Sequence, residues 1–361
     1  MSRAFESLSV GRWQIPQRFV MAPLTRNRAG AGHAPTSLNA EYYAQRAGAG
    51  LIVTEGTAPS EVGQGYLDVP GLYTDEQVAG WRLVADAVHA KDGVIVAQLM
   101  HAGRVAHADN KHGAETVSAS AVQAPGKVVT AAGPKPHDVP RSPDTDEIAG
   151  LVADFVTAAR NAVAAGLDGV EVHAANGYLL HQFLDPTINL RDDAYGGTPE
   201  NRARFAVEVV TAVAEEIGAD RVGLRLSPGH RVSGIGEELG PDLTATYRAV
   251  VDGVAPLGLA YLSLLASPLE PLEPLVRDLR ERFDGVVLLN DGFGDLTSLR
   301  SVEELLATGL ADAVVVGRPF LANPDLAERW REGAALNEPD PSTFYGGGAE
   351  GYTDYPTLAA S

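Results

Sequence analysis

Side chains able to do chemistry recur at one place in this 361-residue sequence, directly after short apolar runs. The run Arg18–Ala22 is followed by Pro23, Leu24 and Thr25, and the next ends in Glu55, Gly56 and Thr57. The third ends in Gln98, followed by Met100, His101 and Arg104; the fourth ends in His173, followed by Asn176 and Tyr178. Arg225 lies inside the fifth run, Asn290-Asp291-Gly292 closes the seventh, and Gly317-Arg318 closes the eighth. Each group alone has an ordinary structural reading: His101 as a satisfied loop histidine, Gly317-Arg318 as a turn, Arg225 as half of a salt bridge. The ligand reading gives Arg225 an anionic or electron-rich partner, because a guanidinium in an apolar run is costly unless paired. It gives Gly317 and Arg318 a phosphate, held by backbone N–H groups and a cation. His101, His107 and His112 lack the spacing of a zinc site. Gly346–Gly351 matches G-x-G-x-x-G, but it neither follows a strand pattern nor opens a helix, so it predicts no dinucleotide fold.

The runs themselves are Arg18–Ala22, Leu51–Glu55, Val94–Gln98, Gly169–His173, Val222–Leu226, Leu259–Ser263, Val286–Leu289 and Ala313–Val316. Continuous β-branched runs of this length suit strands buried on both faces. Helix patterns separate most of them. Thr74-Asp75-Glu76-Gln77 is a capping box, Thr198-Pro199 pairs an N-cap with proline at the first helical position, and Asn323-Pro324 repeats that device. Asp144–Ala165 and Pro241–Val254 read as amphipathic helices. Eight strands alternating with about eight helices predict an α/β fold, the (β/α)₈ TIM barrel; a doubly wound sheet is the competing arrangement. In a barrel, chemistry sits at the C-terminal strand ends, where these polar groups fall, and phosphate sits after strands seven and eight. Leu8–Ile15 reads as a hairpin plugging the barrel floor. Gly103–Pro143, after the third strand, is a long loop excursion placed to overhang the mouth. Residues 1–361 read as one domain.

Composition excludes other classes. There are 28 Lys+Arg against 47 Asp+Glu, a net charge of −19, which disfavours a nucleic-acid or anionic-membrane partner. Zero cysteines exclude disulfides, thiolate metal sites and cysteine nucleophiles. No signal-peptide pattern opens the chain, and its most apolar window, Ala249–Leu269, is broken by Asp252, Gly253 and Pro256, so a cytoplasmic protein is expected.

Longer motifs carry a resemblance. Met21–Arg26, Gln98–Arg104, His173–Leu180, Asp193–Gly197 with Asn201-Arg202, and the tail Phe344–Gly347 through Gly351–Pro356 stand in order along nearly the whole chain. Together they resemble the Old Yellow Enzyme family of FMN-dependent ene-reductases, in the pattern of its pentaerythritol tetranitrate reductase-like and N-ethylmaleimide reductase-like members. The resemblance implies noncovalent FMN, NADPH or NADH as hydride donor, and activated alkenes as substrates of a ping-pong reaction, in a monomer or homodimer. It implies that Pro23, Leu24, Thr25, Gly56, Gln98, Arg225, Asn290, Gly292, Gly317 and Arg318 bind FMN. Thr25 would face flavin O4, where another branch of the family has cysteine; Gln98 and Arg225 the pyrimidine edge; Gly292, Gly317 and Arg318 the phosphate. His173 and Asn176 would donate to a substrate carbonyl, Tyr178 would deliver the proton, and Tyr66, Met100 and Tyr345 would line the substrate site. Two departures stand out: many relatives pair two histidines where this chain has His173 and Asn176, and Met100 stands where bacterial relatives often carry tryptophan. The readings from other classes are a metal-dependent barrel hydrolase and a flavin carrier without turnover.

Overall fold

The computed structural model describes residues 2–292 and 296–358. Eight parallel strands close into a barrel: β3 (Phe19–Met21), β4 (Ile52–Thr57), β5 (Ile95–Leu99), β8 (Gly169–Ala174), β9 (Val222–Leu226), β10 (Tyr261–Leu265), β11 (Val286–Asn290) and β12 (Ala313–Val316), with β12 pairing back onto β3. The cause is a period-two division of each apolar run. Phe19, Ile52, Ile95, Val170, Val172, Leu224 and Leu262 join one large cluster with the surrounding helices. Val20, Val53, Val96, Tyr261, Leu288 and Val315 form a second cluster within the barrel. The hairpin of β1 (Leu8–Val10) and β2 (Trp13–Ile15) adds Val10, Trp13 and Ile15 to that inner cluster, so it closes the barrel floor as expected. The doubly wound alternative fails on closure alone.

Strand boundaries move where turns intrude. The sixth strand starts at Tyr261, two residues late, because Gly258 at φ +72° is still turning the chain. β4 runs on to Thr57 through a register shift between Val53 and Gly56. Bulges of this kind re-aim side chains.

Helix signals hold in most cases. At α2 (Asp75–His89) the Thr74 box forms; at α3 (Thr145–Ala164) Asp144 and Glu147 cap each other reciprocally; at α5 (Pro199–Ile217) the Thr198 side chain accepts from Asn201. Asn323-Pro324 does not cap. The helix α10 (Leu326–Glu332) starts later, after Asp325, while Asn323 accepts from Asn337 N at 2.7 Å and donates to Pro319 O at 2.8 Å. The amide that could have capped is committed to bonds with Pro319 and Asn337.

The excursion after β5 is more ordered than a loop. It carries an antiparallel hairpin, β6 (Lys127–Thr130) with β7 (Gly133–Pro136). Buried Arg104 clamps its base, donating to the carbonyls of Val122 and Gln123 and, across a gap, to those of Ser233 and Gly234. Among the described residues, no helix is long and apolar enough to cross a membrane.

Candidate active site

The inward positions of the barrel strands turn polar toward their C-terminal ends, and a cavity of about 370 Å³ opens there. Pro23, Leu24, Thr25, Gln98, Met100, His173, Asn176, Tyr178, Arg225, Asn290, Gly292, Gly317, Arg318 and Tyr345 all line it. So do Ala22, Arg26, Val232, Ser233, Leu321 and Phe344, which the sequence reading did not single out. No residue of the long excursion lines it; the excursion acts at one remove, through Arg104 and the loop that carries Ser233. Gly56 and Tyr66 stand behind the lining. A Cβ on Gly56 would lie 2.4 Å from Met100 Sδ, so this glycine makes room for the methionine and does not face the cavity itself. Tyr66 meets the site through its hydroxyl, 3.0 Å from that of Tyr178.

The cavity floor is a polar layer. Arg225 donates from Nη1 to Ser263 Oγ (3.1 Å) and from Nη2 to Asn290 Oδ1 (3.4 Å), both neutral groups. Its Nε is buried without a partner among the described residues, so the structural salt-bridge reading leaves a donor unexplained. Burial pulls the Arg225 pKa down, and buried Glu171 is the main influence in the other direction. Gln98 donates from Nε2 to Glu171 Oε1 at 2.8 Å, which leaves its Oε1 as the acceptor it can offer a ligand. Sequence reasoning missed Glu171, although it stands two residues before His173 on the same face of β8, a carboxylate inside an apolar run.

At the wall, His173 is buried with Nδ1 unpartnered, and Asn176 leaves Oδ1 unpartnered, among the described residues. Burial, reinforced by Arg225 and His181, holds the His173 pKa well below the usual histidine range, so the ring is neutral. Burial raises the Tyr178 pKa, opposed by its bond to Tyr66, so the phenol keeps its proton at neutral pH. Asn176 (φ +56°) and Gly177 (φ +82°) make a left-handed turn, and the Asn176 N–H donates to Ser227 Oγ at 2.9 Å. A Cβ on Gly177 would come within 2.7 Å of Ser233 Cβ, so only glycine allows this close approach. Behind it, His181 Nδ1 accepts from Gly177 N, and Tyr247 bridges His181 Nε2 to Glu237. Those three residues lock the turn from below.

The rim is held by arginines the sequence reading passed over. Arg26 donates to the carbonyls of Thr343, Phe344 and Gly351; Arg28 donates to those of Thr343, Gly348 and Glu350. The tail segment with Phe344 and Tyr345 is thereby strapped over the cavity. Glu55 accepts from the backbone N–H groups of Arg26 and Asn27 beneath the strap, and burial pushes its pKa up to about 7. Buried His101 has Nδ1 taken by Gly103 N and its pKa driven to about 3 by burial; it does not line the cavity. His107 lies near Asp138, His112 pairs with Glu61, and no group of three His, Asp or Glu among the described residues is placed to hold a metal.

Comparison with known proteins agrees with this geometry. The model of the NADH:flavin oxidoreductase / NADH oxidase family matches residues 3–337. A probable flavin mononucleotide-dependent alkene reductase of Leishmania infantum is 42% identical over 358 residues, covering 97% of this chain and 96% of that protein. Morphinone reductase superposes with a TM-score of 0.92 at 44% identity, covering 99% of this chain and 96% of the other. The old yellow enzyme homologue of Zymomonas mobilis does so with a TM-score of 0.93 at 38% identity, covering 98% and 99%. A closed barrel, a polar-floored cavity at its C-terminal end and these likenesses along the whole chain place it in the NADH:flavin oxidoreductase / NADH oxidase family, as an FMN-dependent oxidoreductase of the Old Yellow Enzyme type.

Proposed function

We propose that FMN occupies this cavity and that the protein reduces the activated C=C bond of α,β-unsaturated carbonyls with NADH or NADPH as hydride source. The residues fit the cofactor. A ring edge with both donors and acceptors suits Gln98 Oε1 and the unpartnered Nε of Arg225. Gly292, Gly317 and Arg318 line the same cavity and supply a cation for a phosphate in a protein of net charge −19. Thr25, in the same lining, would offer a hydroxyl to a carbonyl of the ring. When bound, FMN would supply the two-electron hydride chemistry that links the nicotinamide to the alkene.

The chain's own groups do the rest. With FMN bound, Arg225 would hold a fixed cation where negative charge collects on reduction, a preorganised arrangement that costs no reorganisation at the moment of reaction. His173 and Asn176 donate to the substrate carbonyl oxygen and stabilise the charge that grows there; removing one such donor typically costs ~10²–10³ in rate. Asn176, standing where many relatives have a second histidine, keeps the hydrogen-bonding role, because its amide has N–H donors and no charge to titrate. Tyr178 holds the proton that the α-carbon takes, and Tyr66 orients it. Met100, wedged over Gly56, shapes the substrate side. Supply of reduced nicotinamide favours work in the cytoplasm.

One observation carries the reading: His173, Asn176 and Tyr178 converge on one cavity, with His173 Nδ1 and Asn176 Oδ1 left unpartnered among the described residues and the Tyr178 hydroxyl bonded to Tyr66. Anaerobic stopped-flow tests it. Nicotinamide should bleach the flavin, and cyclohexenone should restore it; a reduced enzyme that no enone reoxidises is a carrier and not an ene-reductase.

A further inference from the structure

Glu171 is a buried carboxylate to which none of the roles above gives work. It sits on the inward face of β8, in register with Gln98 on one side and Gly223 on the other, one step below the His173–Arg225 pair. Oε1 accepts from Gln98 Nε2 at 2.8 Å, and Oε2 accepts from the Tyr261 hydroxyl at 3.1 Å. The tyrosine reaches it only because residue 223 is glycine: a Cβ there would come within 2.1 Å of the Tyr261 ring. Three strands are thus shaped around one carboxylate, which lies 1% exposed. Burial raises its pKa, while Arg225, Gln98 and Tyr261 act to keep it charged. A charge enclosed by two neutral donors, next to Arg225 on the cavity floor, is an electrostatic counterweight.

We propose, on the reading that FMN lies against Arg225, that Glu171 is a positioning residue: its negative charge offsets Arg225 and holds the reduction potential of bound FMN below the value the arginine alone would set. The arginine favours the reduced, more anionic ligand; the carboxylate opposes it from beneath the floor. The balance matters because one flavin must accept hydride from nicotinamide and still release it to an alkene. Too strong a positive field favours the first step and hinders the second.

The test is the potential of the holoenzyme, measured by redox titration. Glu171→Gln keeps the shape and a hydrogen-bonding partner for Gln98 and Tyr261 but removes the charge. Removing a buried charge should change the ratio of oxidised to reduced FMN dissociation constants by at least about tenfold, the worth of a unit charge ~12 Å away at an effective dielectric of ~20. For a two-electron couple that is a rise of ~30 mV. Flavin reduction by NADH should quicken and reoxidation by enone slow. An unchanged or lowered potential overturns the inference. Should this variant fail to hold FMN, Tyr261→Phe serves: it strips a donor that helps keep Glu171 charged, so the counterweight weakens and the potential should rise, by about threefold in the same ratio. A fall there overturns the proposal too. Arg225→Ala separates the two levels. If it binds FMN at the wild-type potential, FMN does not lie against Arg225 and the underlying reading fails. If it lowers the potential while Glu171→Gln changes nothing, only the role of Glu171 fails.

Discussion

Tyr178→Phe removes one oxygen atom from the site and separates two steps that share a cavity. The hydroxyl is hydrogen-bonded to Tyr66, at 3.0 Å, and burial raises its pKa, so the phenol is protonated throughout the neutral range. Taking hydride from nicotinamide needs no phenolic proton. Reducing an enone needs one at the α-carbon as hydride reaches the β-carbon. The loss should therefore fall on the oxidative half-reaction alone, at the scale of a missing general acid, ~10²–10⁴-fold. The fold should survive, because the phenyl ring keeps its edge contacts with Tyr66 and His173, at centroid distances of 6.3 and 5.2 Å. The Tyr66 hydroxyl loses its partner, a cost of ~1–3 kcal/mol if it stays dry. The double variant with Tyr66→Phe should recover stability without recovering rate. Nitroalkenes should escape part of the loss, since hydride addition gives a stabilised nitronate that water protonates later. Anaerobic stopped-flow resolves both half-reactions through flavin absorbance. Reoxidation by cyclohexenone at the wild-type rate would refute the assignment of Tyr178. An equal collapse of flavin reduction would show that the residue positions nicotinamide.

Arg318→Ala should weaken FMN binding about 10–100-fold, the worth of a charge-assisted bond to phosphate; fluorescence titration showing an unchanged Kd would remove Arg318 from the phosphate site. Met100→Trp should alter product ratios over an enone panel and leave flavin reduction nearly intact, because Met100 lines the cavity and brings no polar group; identical ratios by chiral chromatography would show that residue 100 does not meet the substrate. Glu55 supplies a pH prediction. Its folded pKa, about 7, lies above the ordinary value of 4.5, so between those limits the folded state holds a proton that the unfolded state has lost. Stability is then full below pH 4.5 and declines as pH rises through 7, by at most ~3 kcal/mol from this group. Glu55→Gln should flatten that decline. Thermal scans in which variant and wild type keep a constant gap from pH 4.5 to 8 would contradict it.

The barrel was legible because two-faced burial writes itself as continuous β-branched runs, and the polar lining because each run breaks into hydrogen-bonding residues at its exit. Thr25, Gln98, His173, Arg225 and Arg318 share this signal. Gly56 and Tyr66 were placed one layer too near the cavity, since spacing along a strand does not tell whether a residue lines a site or makes room for one that does. The bulge in β4 and the bulk of Met100 decide that, and both are tertiary. Arg26 and Arg28 were passed over for a related reason: their partners are carbonyls of Thr343 through Gly351, more than 300 residues away, and a carbonyl leaves no mark in the sequence.

Glu171 shows what kind of signal was available and unused. The inward positions of β8 and β9 alternate with Val170, Val172, Leu224 and Leu226, which pack outward against helices. By that alternation Glu171, His173, Gly223 and Arg225 all face the barrel axis. A charged residue on an inward phase must be paired or must serve a ligand. The inward phase of β8 and β9 carries one carboxylate, Glu171, and one guanidinium, Arg225, two register positions apart. Treating Arg225 alone as the anomaly left half of an electrostatic arrangement unread. The same alternation that builds the core therefore also locates the charges that tune the site, and the glycine at 223 marks where an aromatic from the next strand crosses to reach them.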